Sequence, residues 1–208
     1  MRNFILAAAV VAASVAGAAN AATTVAFQPG VFGTPTGYTL FSDFNTVAAQ
    51  SVVTGSNFFF PTGDIPGITA AIPGNNTPYL SVGGGGMANV SFASAVRSFS
   101  FDYSTVDNYN SLTINYADGG FGTVTGDDIL NAGQASGSVS GSFIVNGDGR
   151  LIKGISLNTS SNAFEVDNLS ISRNIGGVPE PTTWMMMIAG FGLVGIGMRR
   201  RTTNAIAA

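Results

Sequence analysis

Two short stretches hold the side chains best suited to chemistry. Asp102 and Asp107 fall in FDYSTVDNYNSLTINY, and Glu165 and Asp167 fall in AFEVDNLSI, both at expected strand ends. Carboxylates, Asn side chains and peptide carbonyls are the ligands a hard cation such as calcium takes, so these four acids form a candidate calcium set. The competing reading is turn chemistry, because Asp and Asn cap turns through their own backbone, and no EF-hand spacing is present. Tyr109 lies between Asn108 and Asn110, an apolar ring with a polar tip beside two amides, which makes the trio a candidate sugar contact. Its alternative is a tyrosine packed on the edge of the domain. Carboxylate-pair glycoside hydrolysis would need two acids roughly 5–10 Å apart. The spacing selects no such pair, and solvated surface acid is the default for each.

The chain contains neither Cys nor His. That excludes Ser-His-Asp and Cys-His catalysis and removes the usual ligands of zinc and copper. It also excludes disulfides, so an exported domain must rely on core burial, with bound ions as an optional addition. Residues 22–177 carry ten acidic side chains against four basic ones, a net charge of −6, whereas the whole chain stands at −3. An acidic body argues against nucleic acid as a partner.

Short β-branched and aromatic runs bounded by Gly, Asn, Asp, Ser and Pro recur from residue 25 to 171, and none keeps a helical period. The region 22–177 therefore reads as one all-β domain, a jelly-roll-like β-sandwich. In the stretch from Val96 to Tyr103, apolar 99, 101 and 103 alternate with polar 98, 100 and 102, the pattern of a half-buried strand. Asn146-Gly147-Asp148-Gly149 reads as a hairpin loop. Ile68 to Ile72 reads as a strand, and Gly83 to Gly86 as a flexible loop between strands, since no helix follows to make it a phosphate cradle.

The two ends carry addresses. Residues 1–21 combine Arg2, an apolar stretch and Ala19-Asn20-Ala21, the pattern of a secretory signal peptide with its cleavage site. At the other end, Pro179-Glu180-Pro181 precedes an uncharged run from Trp184 to Met198, followed at once by Arg199, Arg200 and Arg201. As a helix from about 182 to 198 it spans roughly 25 Å, short for a bilayer core of about 30 Å. It spans if Trp184 sits at one interface and the arginines snorkel to the other. One-sided basic charge then keeps the C-terminus cytoplasmic. A core helix is the alternative, and three adjacent cations oppose it.

Pro179-Glu180-Pro181, Trp184, the Gly-rich apolar run and the terminal arginines resemble the PEP-CTERM sorting signal in its PEP-x-x-W form. The resemblance implies an exosortase substrate of Gram-negative bacteria, anchored transiently in the inner membrane and processed near the motif. It further implies a surface or matrix protein associated with exopolysaccharide and biofilm, with a polysaccharide-binding module as the alternative activity. Met185 stands where many such tails have Ala, and residues 202–208 extend past the arginines. The Asp107-x-Tyr109-Asn110 turn and the late Phe164-x-x-Asp167-Asn168 strand are similar to the jelly-roll bodies of such proteins, and the likeness transfers a fold expectation with no catalytic residue.

Overall fold

A computed structural model of the chain describes residues 23–130, 137 and 139–173. The expected signal peptide at 1–21 and the tail at 178–208, with its helix near 182–198, lie outside the described residues. Among the described residues no helix is long and apolar enough to cross a membrane.

The body is all-β. Among the described residues ten strands follow in order: β1 (Thr24–Pro29), β2 (Thr39–Ser42), β3 (Val53–Phe59), β4 (Leu80–Val96), β5 (Ser98–Tyr103), β6 (Asn110–Tyr116), β7 (Phe121–Thr125), β8 (Gly141–Asn146), β9 (Ile152–Thr159) and β10 (Phe164–Ser172). The one-turn helices α1 (Val47–Gln50) and α2 (Gly126–Leu130) interrupt them. A reciprocal cap starts α2: Thr125 N–H donates to Asp128 Oδ2 at 2.7 Å, and Asp128 N–H donates back to Thr125 Oγ1 at 3.2 Å.

Every strand pairing is antiparallel, and one hydrogen-bonded path runs β1-β8-β5-β10-β4-β9-β6-β7, with β2 on β10 and β3 on β4. The sheet curls so that its two halves share an apolar interior. Phe101 and Tyr103 (β5), Phe143 (β8) and Phe164 (β10) meet Leu112 (β6), Val124 (β7) and Ile129 (α2) around a void of only about 10 Å³. Ring centroids stand 5.2 Å apart for Phe101–Phe143 and 4.7 Å for Tyr103–Phe164, the separations of packed aromatic pairs. Each such buried side chain contributes roughly 1.5–3 kcal/mol. Where β10 meets β4, through Phe164–Val82, Glu165–Ser81 and Val166–Leu80, the halves join into one ladder.

Three local expectations change. The Gly83 to Gly86 run lies inside the 17-residue strand β4. A Cβ on Gly86 would stand 2.6 Å from the carbonyl oxygens of Asn57 and Gly83, so these glycines admit a neighbouring backbone at close range, beside a bulge at Ser56/Phe58. The Asn146 to Gly149 segment is a turn with positive φ at Asp148 and Gly149, yet it is not a hairpin, because β8 pairs with β1 and β5 while β9 pairs with β4 and β6. Turn chemistry is local and does not choose the partner strand. Ile68 to Ile72 forms no strand: it belongs to the loop between β3 and β4, where Ile65 and Thr69 make an isolated bridge.

Candidate functional site

Alternation predicts β5 as half-buried, but all six of its residues are buried, and eight of the nine in β10 are too. The odd positions of β5 point to the aromatic interior. The even positions, Ser98, Ser100 and Asp102, line up with Ser172, Ser170 and Asp167 of β10, and Asp102 lines up with Ser142 of β8, making a second face that is polar. Glu165 continues this face opposite Ser81 of β4. Two loops cover it. Residues 30–38 are tied down by Gly33 N–H on Asp102 and by the Thr34–Ser170 hydroxyl pair at 2.9 Å. The loop at 60–79 is tied by Thr69 and Ala70 on Glu165, Asn75 on Asp167 and Ala71 O on Ser104.

Between the loops and this face lie two clefts. The first, about 310 Å³, is lined by Phe32, Gly33, Asn75, Thr77, Asp102, Asp167 and Asn168 among others. Asp102 and Asp167 are direct cross-strand partners, 1 % and 3 % exposed. Gly33 N–H donates to both Asp102 oxygens at 2.9 Å, Ser142 Oγ to Oδ1 at 2.9 Å and Asn168 Nδ2 to Oδ2 at 2.7 Å. Asn168 reaches Asp102 because the ladder shifts between Asp167 and Ser170 and Asn168 takes φ 49°, a bulge that re-aims its side chain. Asp167 Oδ2 accepts from Asn75 Nδ2 at 2.7 Å, while Oδ1 is buried without a well-formed hydrogen bond. Burial, with Asp102 and Asp43 adding negative charge nearby, lifts the Asp167 carboxyl to about 7.

The second cleft, about 430 Å³, is lined by Asp64, Ile65, Ile68, Thr69, Asp107, Tyr109, Asn162 and Glu165 among others. Glu165 is 2 % exposed; its Oε1 accepts from Thr69 Oγ1 (3.1 Å) and Ala70 N–H (2.9 Å), and Oε2 has no hydrogen bond. Burial chiefly, and then Asp107, raises its carboxyl above the usual range. Thr105 Oγ1 donates to Asp107 Oδ2 at 3.2 Å. Tyr109 donates its hydroxyl to Asn162 O at 2.8 Å, and burial together with Asp107 pushes its phenol up to about 12.

The four candidate calcium acids thus divide into Asp102 with Asp167 and Asp107 with Glu165. Among the described residues no three acids converge on one point. Of the proposed sugar-contact trio, Tyr109 is half-buried at the second cleft and Asn108 is exposed. Asn110 is a correction: at 1 % exposure its amide faces inward, donating to Tyr103 Oη (2.8 Å) and Ala163 O (3.1 Å), so it is unavailable to a ligand outside. Sequence reasoning missed Gly33, Asn75, Ser142 and Thr69, whose roles arise only when distant loops fold over β5, β8 and β10. Asn168 left a trace, as the partner of Asp167 in a polar pair inside an otherwise strand-like run.

The sorting residues Pro179, Glu180, Pro181, Trp184, Arg199, Arg200 and Arg201 lie outside the described residues. Residues 177–201 match the model of the PEP-CTERM protein-sorting motif, so the chain carries that motif near its C-terminus. No curated protein matches the chain.

Proposed function

We propose that this chain is a non-enzymatic exosortase substrate, exported by its N-terminal segment, held in the inner membrane by its tail, and then processed and passed to the cell surface or extracellular matrix. The observation that carries this reading is the sorting motif at 177–201, with Pro179-Glu180-Pro181 before the apolar run and Arg199 to Arg201 after it. The apolar run serves as a stop and the arginines as a cytoplasmic anchor, leaving the motif on the outer side. Its short span fits an anchor used once and then removed. The matrix it joins is exopolysaccharide or biofilm, in keeping with the motif's general association with exosortase systems. Changing Arg199, Arg200 and Arg201 to Ser, or deleting residues 179–181, should leave unprocessed protein in the membrane fraction, read by intact mass and fractionation. Maturation of both variants like wild type would refute this account.

The passenger is a jelly-roll-like sandwich on this reading, its two layers being β1-β8-β5-β10 and β4-β9-β6-β7. The aromatic core between these halves supports it. The non-enzymatic reading draws on how the acids are spent: Asp102 takes three donors and Glu165 takes two, all of which fasten loops or neighbouring strands.

A second reading is polysaccharide binding at the second cleft. The half-buried Tyr109 ring beside Asp64 and Asp107 favours it, because an amphipathic ring with carboxylates at its rim suits a hydroxylated ligand. Affinity electrophoresis through polysaccharide gels should show retardation that Tyr109→Ala abolishes; unretarded wild type against a broad panel would remove this reading.

A further inference from the structure

The first cleft has an unusual charge arrangement. Two carboxyls lie directly opposite on neighbouring strands, both nearly sealed from water, and like charges so placed repel. Among the described residues no cationic side chain lines the cleft. Among the described residues the ion pair present is Arg150–Asp118, elsewhere on the surface at 2.7 Å. A buried carboxylate is tolerated when it is paired or coordinates a metal.

Not every oxygen is exhausted by the protein's own donors. A carboxylate offers about four lone-pair sites. Asp102 receives three donors, the Gly33 N–H being shared between its two oxygens, so each oxygen already takes two contacts and Asp102 contributes chiefly its negative charge. Asp167 lines the cleft and is 3 % exposed; its Oδ1 is sealed from solvent without a well-formed hydrogen bond, the adjacent Asn168 N–H being the backbone group near its carboxyl. Asn168 and Thr77 bring neutral oxygens to the same walls, and nitrogen and sulfur ligands are absent from a chain without His or Cys.

We propose that the cleft between Asp102 and Asp167 binds one calcium-class divalent cation, with Asp167 Oδ1 as its anionic anchor, Asp102 as the second carboxylate, and Asn168, Thr77 and water completing the shell. An all-oxygen set in a roomy cleft suits an ion that accepts six to eight flexible ligands, where magnesium demands a tight octahedron. The ion would clasp both covering loops to β5 and β10, since Gly33 and Asn75 bond the same two carboxyls. The Asp107–Glu165 cleft takes no part.

Full-length protein in detergent, stripped with a chelator, is titrated calorimetrically with calcium chloride and separately with magnesium chloride. The expected result is saturable binding of one calcium per chain, tighter than magnesium, and a rise in unfolding temperature. Asp167→Asn should weaken it by about tenfold or more, and Glu165→Gln should leave it within about twofold. Absence of calcium binding, preference for magnesium, or equal loss in both variants overturns the proposal. Should Asp167→Asn fail to fold, carbon-13 carboxyl spectra of wild type decide: calcium must move the Asp102 and Asp167 resonances, and movement confined to other carboxyls overturns it.

Discussion

The two faces of β5 and β10 are built from alternate residues of the same strands, both are buried, and they are stabilised in different ways. The inner face is Phe99, Phe101, Tyr103, Phe164 and Val166, closed by the other half of the sheet. The outer face is Ser98, Ser100, Asp102, Glu165, Asp167 and Ser170, closed by two loops. Apolar packing is non-directional and scales with area, so the inner face tolerates exchange of similar shapes. Polar burial is directional, and each donor or acceptor left alone is costly, so the outer face is specified bond by bond.

The contrast breaks most severely at Phe101, 2 % exposed and in contact with four other rings. Phe101→Ala should cost roughly 3–5 kcal/mol in chemical denaturation, at every pH. The outer face should instead respond to pH. The Asp167 carboxyl sits near 7 in the fold against 3.8 for the free group, so between those values the folded state holds a proton that the unfolded chain has released. In chelator, stability should fall as pH rises from about 4 to about 7, by on the order of 4 kcal/mol, and level off above. Asp167→Asn should flatten that slope; a slope unchanged in the variant assigns it to another group. Ser142→Ala removes the hydroxyl that reaches Val31 O and Asp102 Oδ1, at an expected cost of about 1–2 kcal/mol and with faster amide exchange in residues 30–38. Phe121, 71 % exposed on β7, is the outer limit: Phe121→Ser should change stability by less than about 0.5 kcal/mol.

What could be read in advance follows from range. The all-β body and the bounds of β7 are local patterns, and both were legible; so was the linear motif at 177–201, which is read residue by residue. The inner face of β5 was legible from alternation. Its outer face was misjudged because Gly33 and Asn75, which cover it, lie 69 and 92 residues from the acids they meet. The split of the acids into two clefts was illegible for the same reason: Glu165 and Asp167 are two residues apart, yet Thr69 and Asn75 divide the space above them.

Strand β10 is both the last described strand and an interior one, bonded to β5 and β4 on its two edges with β2 joining further along. The sorting motif follows it within a few residues. A tether attached through the tail would therefore load the domain at β10, where a pull along the strand shears many ladder bonds together rather than unzipping them singly. Resistance to such a pull is set by the unfolding rate rather than by equilibrium stability. The fold thus puts an interior strand, held along both of its edges, at the point where mechanical load would enter.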